Sequence, residues 1–232
     1  MFEKKQRIIA AAILAGLSII IYLPSFSYGF SSWDSMQFIR DNELLKSWEN
    51  CSTIFLPGQI KREALYIPVT YISYMVDMIL VKSVSIMHFI NFALHMANLV
   101  LLYFILRKFI KKEIILFPLL FIFALHPLQV ETVVWLMGRK DLLTTLFIFL
   151  SFLAYMKFRE DEKQSYSAVA FIFYILAVLA KPSMIIFPAI FVLYDYLYTE
   201  KRPNVAIYIP YFIVSIMIYL IHYNLPKIAV DI

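Results

Sequence analysis

The hydrophobic positions of this chain gather into long runs, at residues 8–23, 88–106, 114–125, 142–156, 168–180, 183–194 and 205–221, with short polar stretches between them. Neither the alternation of a half-buried strand nor the one-sided stripe of a water-facing helix describes them. A helix rises about 1.5 Å per residue and the apolar core of a bilayer is about 30 Å thick, so the longer runs read as membrane crossings. The pattern predicts an all-α polytopic membrane helix bundle of about seven transmembrane helices, with interfacial helices in the first outer loop. It reads as one membrane domain over residues 1–232. Within it lie a first helix (1–24), an outer loop with interfacial helices (25–87), six further helices (88–221) and an outer tail (222–232). The first run has the basic flank and apolar stretch of a signal peptide, but its length and the weak small-residue pattern of Ser25-Phe26-Ser27 favour an uncleaved helix.

Residues 64–81 are apolar enough to cross, yet contain Pro68, Asp77 and a polar stripe. Charge placement decides between the alternatives. If this stretch stays on the outer side, the inner segments are residues 1–7, 107–113, 157–167 and 199–204, and they hold twelve of the 21 Lys and Arg. A crossing here would move Arg107, Lys108, Lys111 and Lys112 outside, against the bias of cytoplasmic loops toward positive charge. The stretch is therefore expected to be an interfacial or re-entrant helix. The N-terminus is then cytoplasmic and the C-terminus lies outside.

Three runs are short, and residues 114–125 make only about 18 Å of helix. Their outer connections, 126–141 and 181–182, should sit below the outer membrane surface. Charged, non-helical backbone at that depth is tolerated where it lines a protein-walled, watery cavity. The pattern thus predicts a polar cavity that opens outward.

Composition agrees with a membrane setting: 62% of residues are hydrophobic and only 16% charged, too little polar surface to cover a water-facing globule. The net charge of +5 does not point to nucleic acid, because the basic residues cluster at the ends of apolar runs instead of forming a face, a placement that suits anionic lipid. The single Cys51 excludes an internal disulfide, and no Cys/His spacing resembles a zinc site.

Two polar stripes stand out within membrane segments. Thr70, Ser73, Tyr74 and Asp77 share one helix face, as do His88, Asn91, His95 and Asn98. Each stripe suits either interhelical hydrogen bonding or contact with substrate. Asp77 is costly in lipid if ionised, so it should face the cavity or interfacial water. The connection from His126 to Asp141 concentrates His126, Glu131, Arg139, Lys140 and Asp141. A purely structural account pairs Glu131 with Arg139, lets Lys140 reach the interface and makes His126 a neutral cap, but leaves unexplained why an outer hairpin collects such charges. Lys181 is either a stem reaching for the interface or an anion partner.

The segment His126-Pro127-Leu128-Gln129-Val130-Glu131-Thr132-Val133-Val134-Trp135, followed by Gly138-Arg139-Lys140-Asp141-Leu142-Leu143, resembles the hallmark of the transmembrane and tetratricopeptide-repeat O-mannosyltransferase family and its bacterial relatives. Tyr66-Ile67-Pro68-Val69-Thr70-Tyr71-Ile72-Ser73 through Asp77, and His88-Phe89-Ile90-Asn91 with His95, are similar to the family's two preceding segments. Ala180-Lys181-Pro182 and Tyr194-Asp195-Tyr196 look like the later helix pair of the bacterial branch. The resemblance runs from Trp33 to about Tyr198. It implies a C-type membrane glycosyltransferase that takes its sugar from a polyprenyl-phosphate donor and works on the non-cytoplasmic face of a bacterial or archaeal plasma membrane. Only the membrane module is matched, because neither the family's further helices nor its tetratricopeptide repeats follow. The family carries two acidic residues in the first outer loop, and here Asp34 is followed by Ser35.

Transfer to an acceptor hydroxyl needs a base for the hydroxyl proton and cations for the departing phosphate. The resemblance makes Asp34 the candidate base, with Glu131 orienting a cation or the acceptor. His126, Arg139, Lys140, Lys181 and Asp77 are candidates for substrate or phosphate binding, since Arg offers a bidentate fork and Lys a point charge. No metal ligands are assigned, and a divalent cation stays open as cofactor. Expected partners are membrane lipid, lipid-linked sugar, a protein or glycan acceptor, and a subunit supplying the missing repeats. Two other readings compete: a transporter of lipid-linked intermediates, and a non-catalytic or truncated module that binds the lipid carrier or a partner subunit.

Overall fold

A computed structural model describes residues 4–31, 34–59, 65–199 and 205–225 of the chain. Among these residues regular structure is entirely helical. Helix α1 (Lys4–Tyr22) opens the chain, and the first outer loop contains the single-turn α2 (Cys51–Ile54) and then α3 (Pro68–Val76), which a wider turn extends through Val81. The remainder comprises α4 (Val84–Phe109), α5 (Glu113–Leu125), α6 (Pro127–Val134), α7 (Arg139–Asp161), α8 (Gln164–Ala180), α9 (Pro188–Tyr198) and α10 (Ile209–Tyr223).

Every apolar run becomes helix, but not every helix is long enough to cross. Four stretches have the length and composition of a span: Lys5–Ser27, Val84–Phe109, Leu136–Asp161 and Val205–Tyr223. A fifth exists if α5 and α6, bent by 49°, count as one. The seven crossings expected from the sequence thus reduce to four or five by length. The difference lies with α8 at 17 residues and α9 at 11, where Pro182 and Pro188 divide one apolar stretch into a tight turn and a short helix. The stretch Pro68–Val81 is also too short to cross by length alone, at about 21 Å. The apolar surface is what lipid requires: Ile8, Ile20, Ile114, Ile122, Ile172 and Ile216 are all more than half exposed, a cost no water-facing globule carries.

Prolines set the breaks for a simple reason. The residue before a proline is pushed out of the helical region, while proline itself suits the first helical position. His126 and Lys181 both adopt extended backbone, and new helical turns begin at Pro127 and Pro182.

The chain separates into two compact units. The first comprises residues 1–43 and 76–142. In it α4 packs on α5 and α6, and α1 on α5, around Leu14, Leu99, Leu116, Phe117 and Leu120 in one cluster and Tyr22, Phe92, Val133 and Leu142 in another. The second unit comprises residues 44–75 and 143–232. Here hydroxyls tie helix to helix: Thr144 donates to the Ala177 carbonyl at 2.8 Å, Ser151 to Ala170 at 2.7 Å, and Tyr174 meets Ser215 at 2.6 Å. Asp195 is buried within this unit, accepting from Arg159 at 2.8 Å, from Tyr208 at 2.6 Å and from Tyr155.

Candidate functional site

The connection from α5 to α7 is built around two constraints. Pro127 breaks the helix, and the imidazole of His126 accepts from the Leu128 N–H at 3.2 Å, capping α6. Ten residues on, Gly138 lies so close to α6 that an added Cβ would stand 2.1 Å from the Thr132 carbonyl oxygen. Only glycine lets the turn at Leu136–Gly138 fold back onto α6 and start α7.

That start places Arg139 inside the first unit, only 1% exposed. Its guanidinium is fully directed: Nε donates to Asn91 Oδ1 at 2.8 Å, Nη2 to the Met87 carbonyl at 2.9 Å, and Nη1 to the Asp77 carboxylate. The partner of Arg139 is thus Asp77, 62 residues away in sequence, and not Glu131. Glu131 is exposed and forms no ion pair among the described residues.

The α4 stripe divides along its length. Asn91 donates to the carbonyls of Val133 and Trp135, both at 3.3 Å; His95 meets the Ala124 carbonyl at 3.2 Å; Asn98 donates to Leu142 at 2.9 Å. Ala124 and Val133 lie in the last turns of α5 and α6, where carbonyls lack helical partners, whereas Asn98 adds a second bond to a carbonyl in the first turn of α7. His88 differs. It is 3% exposed, and although the backbone of Gly29 and Val134 approaches the ring, no group among the described residues is aligned as a hydrogen-bond partner for either nitrogen.

His88 faces a cavity of about 470 Å³, lined also by Tyr28, Gly29, Ser31, Ser35, Val130, Glu131, Val134, Trp135 and Leu136. The α5–α7 connection and the loop after α1 supply its walls, and all of it belongs to the first unit. Ser31 and Ser35 join hydroxyls at 2.8 Å, while the Lys140 ammonium lies 5.3 Å from the Trp135 ring centroid. An aromatic wall with a few polar groups converging on it has the character of a small-molecule site.

The candidates from the sequence distribute as follows. Glu131 lines the cavity and Lys140 sits over its Trp135 wall. Asp34, half-buried, opens the turn whose next residue, Ser35, is a lining residue; it has no ion pair or hydrogen bond among the described residues. Ser32 and Trp33 lie outside the described residues. Arg139 and Asp77 form the buried pair behind the wall, and His126 caps α6. Lys181 belongs to the second unit, where it ends α8; there Thr70 donates to the Ala180 carbonyl at 2.9 Å. Among the described residues no three His, Cys, Asp or Glu side chains converge as a metal site. The sequence reading gave His88 no role of its own. The signal was its position at the outer end of the stripe, nearest the first loop, but the stripe alone does not separate it from its three bonded neighbours.

Comparison with known proteins yields a short likeness. A stretch of 44 residues is 52% identical to the human protein O-mannosyl-transferase TMTC4, covering 18% of this chain and 6% of that protein. No protein-family profile matches the chain. No solved structure matches it either.

Proposed function

We propose that this chain is a glycosyltransferase-like membrane module that moves a sugar from a polyprenyl-phosphate donor to an acceptor hydroxyl on the non-cytoplasmic face. The observation that carries this reading is the cavity itself: the segment resembling the O-mannosyltransferase hallmark supplies its carboxylate, Glu131, and its aromatic wall, Trp135, and the acidic loop supplies its serines. The short identity with a protein O-mannosyl-transferase points the same way.

In this reading the acceptor oxygen bonds to the anomeric carbon, the bond from that carbon to the donor phosphate breaks, and the electron pair leaves with the phosphate. The Asp34 carboxylate takes the hydroxyl proton. Trp135 and Tyr28 offer flat faces to the C–H surface of a sugar, Glu131 bonds its hydroxyls, the buried His88 ring forms part of the cavity wall beneath it, and Lys140 partners the phosphate. Because each nitrogen of the Arg139 guanidinium already donates to a protein acceptor, its role is to fix the α4 and α7 walls of the cavity. In the seven-crossing topology that the charge distribution favours, the cavity lies near the outer surface, where a polyprenyl chain keeps its tail in lipid. Lys181 remains a proposed phosphate partner, and a protein or glycan the proposed acceptor.

The test is transfer in reconstituted membranes supplied with a panel of polyprenyl-phosphate sugars. Asp34→Asn and Glu131→Gln should each abolish or sharply reduce transfer at unchanged protein level. Full activity in Asp34→Asn removes it as the base. The wild type binding the donor without transferring it, with Glu131→Gln weakening binding, would favour the non-catalytic module, which the single acid of the Asp34-Ser35 loop also suits.

A further inference from the structure

A second concavity lies in the first unit and shares no lining residue with the cavity at His88. Ile8, Ala11, Leu14 and Ala15 of α1, Met96, Leu99, Val100 and Tyr103 of α4, and Phe117 and Leu120 of α5 enclose about 410 Å³, and Arg7 stands at one end. The small side chains of Ala11 and Ala15 hollow the groove. Its volume falls within the ~300–1,000 Å³ of ordinary ligand sites, and nearly all of its wall is hydrocarbon.

The end of the groove carries the charge. Arg7 and Arg107 converge on one oxygen of Glu113, at 2.9 and 2.7 Å, and Arg107 also donates to the Tyr103 hydroxyl at 2.8 Å. Two cations thus share one buried carboxylate, leaving an excess positive charge. Both arginines remain about a third exposed, at 33% and 39%. The Arg7 Nε is near Glu113 without being aligned to donate to it, and its terminal amino groups have no hydrogen-bond partner among the described residues. Lys111 and Lys112 directly precede Glu113 in the same short connection.

We infer that this groove binds an anionic phospholipid, its acyl chain lying between α1, α4 and α5 and its phosphate held by Arg7 and Arg107. A neutral lipid gains the groove but not the cations. A soluble phosphate gains the cations but not the groove. The charge excess therefore selects an anionic headgroup joined to a hydrocarbon chain, the chemistry of the cytoplasmic leaflet, whose negative potential favours clustered Arg and Lys. This inference is independent of any transferase activity.

Thermal unfolding of the purified protein in detergent, with added phosphatidylglycerol, phosphatidylcholine or glycerol 3-phosphate, tests it. Phosphatidylglycerol should raise the melting temperature beyond phosphatidylcholine at equal mole fraction, and glycerol 3-phosphate should not. Arg7→Gln should weaken the phosphatidylglycerol effect about tenfold in half-saturating lipid, as loss of a charge-assisted hydrogen bond does. Because Arg7→Gln also loosens the Glu113 pair, Ala15→Phe is the companion: it fills the groove and leaves every charge in place. It should produce the same loss, while Ala12→Phe, outside the groove, should not. Equal stabilisation by the two lipids, equal stabilisation by glycerol 3-phosphate, or an unchanged phosphatidylglycerol effect in Ala15→Phe overturns the inference.

Discussion

Asp77 and Arg139 show how much one pair can hold inside a membrane protein. Removing one partner of a buried ion pair leaves an uncompensated charge and typically costs about 3–5 kcal/mol. Asp77→Asn should therefore lower the melting temperature of the purified protein strongly. Asp77→Leu combined with Arg139→Met should recover part of the loss and not all, because the guanidinium also bonds Asn91 and the Met87 carbonyl. Full additivity of the two single losses would show that the pair is not coupled. On the α4 stripe, Asn91→Leu should cost roughly 2 kcal/mol or more, at about 1 kcal/mol for each lost bond. His88→Leu breaks no aligned hydrogen bond and should stay within about 1 kcal/mol of wild type while impairing donor or acceptor binding. A melting curve for His88→Leu as poor as that of Asn91→Leu would make His88 a structural residue. The sequence placed all four side chains on one face and offered interhelical hydrogen bonding or substrate contact for them; the structure shows the hydrogen bonding for three. The sequence could not divide them, because the division depends on which of them meets a backbone carbonyl, and the carbonyls met lie from 29 to 44 residues away. The same holds for Arg139: spacing offered Glu131, eight residues upstream, whereas packing delivered Asp77.

Elements were more legible than partners. Each run of apolar residues became a helix because periodicity and proline act locally, and the break at His126-Pro127 with a histidine cap follows from two adjacent residues. The tightness of the following turn does not, since it is set by the approach of Gly138 to Thr132. Gly138→Ala would drive a methyl group into a backbone carbonyl that cannot swing aside. The turn, the start of α7 and the Trp135 wall would have to shift together, at a cost of roughly 1–3 kcal/mol. The expected outcome is a folded but destabilised protein with weakened donor binding, since Trp135 lies in the displaced turn. Unchanged melting and binding in Gly138→Ala would mean that the turn tolerates the shift and does not shape the cavity. Helix lengths were read less well. The sequence counted runs, whereas the prolines at 182 and 188 spend part of the last outer run on a tight turn and leave an 11-residue helix.

For the whole chain, the distribution of charge makes a prediction about how many helices cross that helix length does not. Four or five stretches suffice by length, whereas the distribution of Lys and Arg favours seven crossings with α3 kept on the outer side. A short helix can still cross where the bilayer thins or where its ends are walled by protein, at a cost of fractions of a kcal/mol per Å of mismatch. Single cysteines placed in a Cys51→Ser background and probed with a membrane-impermeant thiol reagent separate the cases. With seven crossings, cysteines at Lys111, Glu162 and Thr199 should react only after the membrane is opened. Those at Arg40, Gln129, Ser183 and Asn224 should react from outside. If α8 does not cross, Glu162 and Ser183 fall on the same side. If α3 crosses, the pattern from Lys111 onward inverts relative to Arg40. The first two patterns put the Glu131 cavity and the loop of Asp34 on one face and the Arg7 and Arg107 groove end on the other, and a crossing α3 does not, so the labels at Arg40, Lys111 and Gln129 decide whether the cavity can meet an outward donor while the groove draws lipid from the opposite leaflet.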